Sequence, residues 1–271
     1  HRDLHSFPTR RSSDLHQVSR ALAIFNGGNA LATVVAAPLG SYLGSTIGWR
    51  GAFLCLVPVA IVAFIWQYFS LPNMGGNQGP SPRKSVFRLF HRPAVSMGLM
   101  ACGLFFMGQF ALFTYVRPFL ETVTHVSPSA LSLILLTIGI AGFIGTLIVA
   151  LALNAAFYLT LMAIPLLMAL IAGVLMLTGD SLWIVALLLG FWGMLATAAP
   201  TGWWTWIART LPEDAEDGGG LMVAVIQLSI ALGSTAGGVV FDAFGWQSTF
   251  ALSGILLLSA VILTFTTSRH R

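Results

Sequence analysis

Residues 130–152 read ALSLILLTIGIAGFIGTLIVALA, twenty-three in a row without a charged side chain. A membrane-spanning helix needs about 20 predominantly apolar residues, and this run is long enough. The same pattern extends in both directions. From Arg20 onward eight candidate spans are found, at about 21–45, 50–70, 93–119, 130–152, 156–178, 181–208, 219–243 and 247–267. The expected fold class is therefore all-α, a polytopic membrane protein. Proline and glycine occur within the spans, which membrane helices tolerate better than soluble ones do.

Composition agrees. Of 271 residues, 56% are hydrophobic and 8% are charged, with a mean hydropathy of +0.85. Ordinary soluble domains carry about 25% charged residues. These figures exclude a disordered chain, a solvated enzyme and a nucleic-acid binder. The net charge of +4 reflects nine acids rather than a basic patch, so nucleic acid is not an expected partner. The two cysteines, Cys55 and Cys102, lie inside apolar runs and make neither a disulfide framework nor a CxxC site.

The first residues follow another logic. His1 to Leu15 is polar and has no apolar core, so it is no signal peptide. Phe7 to Leu15 resembles one reading frame of a common DNA-sequencing adapter. Residues 1–16 are accordingly read as adapter-derived and disordered, and are set aside.

One long polar break, Pro72 to Arg92, contains Gly75, Gly76, Gly79, Pro80 and Pro82 and reads as a linker between two bundles. Alternating the loops puts Arg20, Arg83, Lys84, Arg88, Arg92, Arg209, Arg269 and Arg271 on one side, against Arg50 and Arg117. The positive-inside rule makes the first side cytoplasmic, with both chain ends and the linker. The expected location is a membrane that the chain crosses many times.

The chain also repeats itself. Gly48-Trp49 with Phe53 recurs 197 residues later as Gly245-Trp246 with Phe250, and at that offset Gly40 meets Gly237. Six helices separate the copies, about 33 residues per helix and connection. That is the arithmetic of two six-helix halves in parallel repeat. On this count residues 17–70 are the last two helices of the first half, 71–92 the cytoplasmic linker and 93–271 the second half. Eight of twelve expected helices are present, and four N-terminal ones are missing.

Candidate residues for handling a solute follow from helical spacing. The first span places Asn26, Ala30, Thr33, Ala37, Gly40 and Gly44 along one face, with Pro38 beside them. The seventh places Gly220, Ala224, Gln227, Ala231, Ser234, Gly238 and Asp242 along another, with Gly237 adjacent. Such stripes serve either static close packing or sliding between halves. Gln227 is costly in hydrocarbon and is expected at a polar partner or cavity. Gln109 and Phe113 face one way on the third span and together offer a hydrogen bond and a stacking surface. Arg117 is a mouth residue or a snorkelling anchor, and Asp242 a second mouth or gate candidate. Trp192, Trp203 and Trp206 share a face. Trp183, Trp204 and Trp206 fit an interfacial belt, whereas Trp192 lies deeper, near Pro200. The acidic run Glu213 to Asp217 reads as a solvated helix start.

No histidine lies mid-span, and the acids sit at ends or in loops. No nucleophile–base pair or metal cluster is expected, and no phosphate-binding glycine loop follows a strand. Neither enzyme, cofactor nor metal is therefore anticipated. A membrane-embedded carboxylate for proton coupling would belong to the missing helices.

From about Arg20 to its end the chain resembles the major facilitator superfamily, and within it bacterial efflux permeases of the drug:proton antiporter-1 group. The resemblance rests on Ala36-Ala37-Pro38-Leu39-Gly40-Ser41 with Gly48-Trp49-Arg50, on Phe87 to Pro93, on Gly108 to Pro118, on Gly202 to Arg209 and on Val223 to Leu228. Purine ribonucleoside efflux permeases are most similar, and arabinose-type permeases next. The resemblance implies twelve helices, a cavity between two halves, and alternating-access export of a small polar solute, nucleoside-like or sugar-like, against protons. It implies a monomer. The region around Pro38 is similar to the antiporter signature of the fifth helix, with Ala37 where glycine is usual. The connection Leu151 to Ala156, usually basic in this superfamily, is uncharged. Two rival expectations remain: an inactive fragment that cannot close a two-sided cavity, and, more distantly, a polytopic membrane enzyme.

Overall fold

The computed structural model describes residues 32, 35, 36, 38–70 and 86–269. All regular structure among them is helical. Seven helices among the described residues are long and apolar enough to cross a membrane. Residues 38–54 are helical and continue through a turn at Cys55 into α1 (Leu56–Ser70). A 3-10 helix (Val86–His91) leads into α2 (Pro93–Phe113), followed by the short α3 (Val116–Thr122). Then come α4 (Pro128–Ala155), α5 (Phe157–Thr178), α6 (Leu182–Thr210), α7 (Ala215–Phe244) and α8 (Trp246–Arg269).

The expected spans from 130 onward each match one helix. Two expectations change. The first two spans were expected as separate helices, but the described part runs from Pro38 to Ser70 as a single 33-residue helical stretch. Only one left-handed residue, Gly48 at φ +76°, marks the division. The third span was expected as one helix over 93–119. That span is present as the membrane-length stretch Pro93–Thr122, but it is broken inside: α2 ends at Phe113 and α3 begins after Tyr115, whose φ and ψ of −104° and 9° lie outside the helical basin. The expected first span before residue 32, the artefact at 1–16 and most of the linker lie outside the described residues.

Local chemistry explains the boundaries. Pro93 and Pro128 open α2 and α4, where a missing N–H costs nothing. Ser127 caps α4 by accepting from the Ala130 N–H at 3.3 Å. Within the spans, threonine hydroxyls donate to the carbonyl one turn back, as Thr146 does to Gly142 and Thr197 to Gly193. A hydroxyl surrounded by hydrocarbon is satisfied this way at little cost.

Packing relies on glycine, because small residues let helix backbones approach in lipid. Across α4 and α6, a Cβ on Gly145 would strike the Met194 carbonyl, and one on Gly193 the Ile138 carbonyl. Across α2 and α7, Gly233 abuts the Met107 carbonyl and Gly237 the Ala111 carbonyl. The α2–α8 contact is tied by the Ser253 hydroxyl, which donates to the Gly108 carbonyl at 2.6 Å. Helix α2 thus sits centrally, and its buried residues include Gln109.

The internal repeat has a structural counterpart. Gly48 and Gly245 are the glycines of positive φ among the described residues, at +76° and +85°. Each is followed by a tryptophan set edge-on to a phenylalanine four residues later. Trp49–Phe53 lie 6.5 Å apart at 82°, and Trp246–Phe250 lie 5.5 Å apart at 80°. The copies differ in cover. Phe250 is fully buried against Phe119, whereas Phe53 is 67% exposed among the described residues.

Candidate solute cavity

A cavity of about 540 Å³ opens among α2, α4 and α6. Gln109 and Phe113 enter from α2, Ile138 from α4, Trp192 and Thr197 from α6, and Ala36 from the first helical stretch. The size falls within the range of small-molecule sites, about 300–1,000 Å³, which are mostly apolar with a few placed polar groups. Three of the residues singled out from sequence, Gln109, Phe113 and Trp192, line this one space.

Its polar chemistry is incomplete. Gln109 is 8% exposed and Trp192 fully buried. The Gln109 Oε1 acceptor and the Trp192 Nε1 donor are buried without a hydrogen-bond partner. An unpaired buried polar atom costs about 1–3 kcal/mol, and native structures rarely keep one without a reason. Both residues line the same cavity, and in each the unpaired atom itself is enclosed. The Thr197 hydroxyl is occupied by the Gly193 carbonyl at 2.9 Å.

Other candidates are placed elsewhere. Gln227 is exposed and does not line the cavity. Helices α2 and α7 run in parallel, with Gly103, Met107 and Ala111 level with Ser229, Gly233 and Gly237. Gln227 is therefore level with residue 101, about 12 Å along the helix from Gln109. Along the stripe that contains Gln227, Gln227 itself is exposed, and only the later members Ser234 and Gly238 meet the end of α2. The stripe that packs is Ser229, Gly233 and Gly237, with Gly238 against the Tyr115 hydroxyl. Ser234 bonds the Thr114 hydroxyl at 2.9 Å, and its carbonyl accepts from the Tyr115 hydroxyl at 2.9 Å. Gly40 has open space around it. Arg117 pairs with Glu121 at 2.8 Å and borders a separate crevice beside Gly40 and Trp49. Asp242 is exposed. Asn26 and Ala37 lie outside the described residues, whereas Pro38 begins the described run.

Two further readings change. Trp206 is 1% exposed and stacked edge-on with Trp203 rather than interfacial, while Trp183 is 82% exposed. The start of α7 is not merely solvated. Asp214 accepts from Arg88 at 2.6 Å, with Arg92 at 3.9 Å, and so ties the end of the linker to the bundle. Sequence reasoning missed Ala36, which carries no chemical signal, and Thr197. A continued Trp192–Ala196 face would have led toward Thr197, because both Trp192 and Ala196 line the cavity. No cluster of three His, Cys, Asp or Glu able to hold a metal occurs among the described residues.

Residues 9–218 match the family described as Major Facilitator Superfamily. The chain belongs to that superfamily. Over 259 residues it is 61% identical to the transcription regulatory protein OpdE of Pseudomonas aeruginosa, covering 94% of this chain and 64% of that protein. Over 257 residues it is 40% identical to the purine ribonucleoside efflux pump NepI of Salmonella paratyphi B, with the same coverage. The pump of the same name from Salmonella typhimurium is also 40% identical over 257 residues. The chain spans 64% of the length of these curated relatives. Superfamily membership and the seven membrane-length helices make it a multi-pass membrane protein of a transporter family.

Proposed function

We propose that this chain works in proton-coupled efflux of a small polar solute, nucleoside-like or sugar-like, across the bacterial inner membrane by alternating access. The observation that carries the solute site is that Gln109 and Trp192, each with an unpaired buried polar atom, line one 540 Å³ cavity. A solute with a donor and an acceptor of its own satisfies both, and Phe113 and Phe110 supply ring surface. The efflux-pump relatives support the transport direction. Arg88, Arg92, Arg209 and Arg269 flank helix ends on one side of the alternating chain, which supports that side as cytoplasmic. The coupling proton is assigned to no described residue.

Two measurements test the reading. Equilibrium dialysis of the purified chain with radiolabelled inosine or arabinose should give saturable binding, weakened about tenfold in Gln109→Ala. Everted vesicles carrying the chain should accumulate the same solute and stop when a protonophore collapses the gradient. No saturable binding of either class would reject the cavity as the solute site.

The regulatory name of the 61% relative favours a second reading, in which solute occupancy of the membrane protein feeds gene expression. Changed transcript levels in a chromosomal Gln109→Ala strain, with unchanged solute flux, would support it over efflux.

A further inference from the structure

A second cavity, of about 440 Å³, lies where α2 and α5 begin and α6 and α8 finish. It shares no lining residue with the solute cavity. Its aromatic walls are Phe157, Tyr158 and Trp206, and its charged lining residue is Arg209. The Arg209 guanidinium carbon stands 4.4 Å from the centroid of the Phe157 ring. Among the described residues no carboxylate pairs with it. Thr210 and Thr267, also in the lining, donate their hydroxyls to the Trp206 and Leu263 carbonyls at 2.8 and 2.7 Å. Their protons are committed, and the guanidinium is the cationic donor of the lining.

The geometry suits a phosphate ester. A guanidinium held over a ring by its central carbon keeps N–H groups for another partner, and its planar edge matches phosphate oxygens. Tyr158 and Arg209 stand at helix ends, where tyrosine and arginine meet a membrane interface. Basic pockets between spanning helices on the cytoplasmic side take anionic headgroups. Exposed apolar residues run away from the cavity on the two outer walls, Leu159 on α5 and Ile262 and Phe265 on α8. They offer a track for acyl chains. Arg269, stacked 4.3 Å over Phe265, adds a second cation at the same end.

We propose that this cavity binds the phosphate of an anionic phospholipid headgroup through Arg209, with Phe157 holding the guanidinium in place. The site is independent of the solute cavity and of which solute is carried.

The test uses the purified chain in detergent, with phosphatidylglycerol, phosphatidylcholine or inorganic phosphate as probes. Native mass spectrometry counts bound lipid, and thermal unfolding reports protection. Wild type should retain phosphatidylglycerol over phosphatidylcholine, and Arg209→Gln should lower that occupancy about five- to tenfold. Arg209→Lys should fall between them, because it keeps the charge and loses the planar edge. Phe157→Leu, which keeps Arg209 and removes its platform, should weaken binding and covers the case in which Arg209→Gln does not fold. Arg88→Gln, at the same end outside the cavity, should bind as wild type does. Equal retention of phosphatidylcholine, or undiminished phosphatidylglycerol binding in both Arg209→Gln and Phe157→Leu, would overturn the proposal. Equal protection by inorganic phosphate alone, without lipid retention, would overturn the lipid as occupant and leave a soluble phosphate ester.

Discussion

Replacing Gln109 with leucine separates a residue kept for folding from one kept for a ligand. The side chain is 8% exposed, on the central helix, and its Oε1 has no hydrogen-bond partner. Leucine has nearly the same bulk and removes the unpaired acceptor. Leaving a buried polar group unsatisfied costs about 1–3 kcal/mol, so the ligand-free variant should be more stable by about 1–2 kcal/mol after imperfect repacking. For a chain of this size that is a rise of about 3–6 °C in unfolding midpoint. The same change should weaken solute binding about tenfold or more, because the ligand group that met Oε1 is left unpaired. Thermal unfolding in detergent, with and without inosine or arabinose, reads both effects. Wild type should gain stability from ligand and the variant should not. A midpoint unchanged or lowered without ligand would mean that Oε1 is already satisfied. The inference that this amide awaits a solute would then fail.

Three further outcomes follow from the packing. Gly145→Ala and Gly193→Ala drive a methyl into the Met194 and Ile138 carbonyls across α4 and α6 and should each cost about 1–3 kcal/mol. Gly173→Ala on α5 meets nothing within 4 Å and should be neutral or stabilising by up to about 1 kcal/mol; thermal unfolding ranks the three. Gly245→Ala forces a side chain into φ +85°, ψ 175° and should cost about 1–3 kcal/mol, measurable in the same assay. Asp214→Asn should loosen the linker end from α7. The partners are 38% and 19% exposed, so the loss should stay near about 1 kcal/mol, and faster proteolysis of the 86–92 segment is the sensitive readout.

The superfamily relationship and the helices were legible in the sequence because their signals are local. A bilayer imposes length and apolarity on each span separately, so 130–152 declares itself without reference to any other segment. The repeat was legible for a similar reason: a left-handed glycine and an aromatic pair four residues on are set within one turn and the helix that follows, and both copies adopt them. That Trp192, Trp203 and Trp206 share a face likewise followed from spacing along one helix, whereas the burial of Trp206 did not.

What spacing does not contain is rotation and height relative to neighbours. Gln109 and Gln227 are the same chemistry on two apolar helices, and nothing within either helix distinguishes them. Only the α2–α7 register, set where Gly233 and Gly237 meet the backbone of α2, puts Gln227 about 12 Å from the level of Gln109 and leaves it exposed among the described residues. Ile138, Gly193 and Gln109, far apart along the chain, line one cavity, and Gly193 abuts the Ile138 carbonyl there. Apolarity in a membrane says that a helix is inserted and leaves open which side it turns to its neighbours, since lipid and protein interior are equally apolar. That choice is made by packing and by the few polar groups that must find one another.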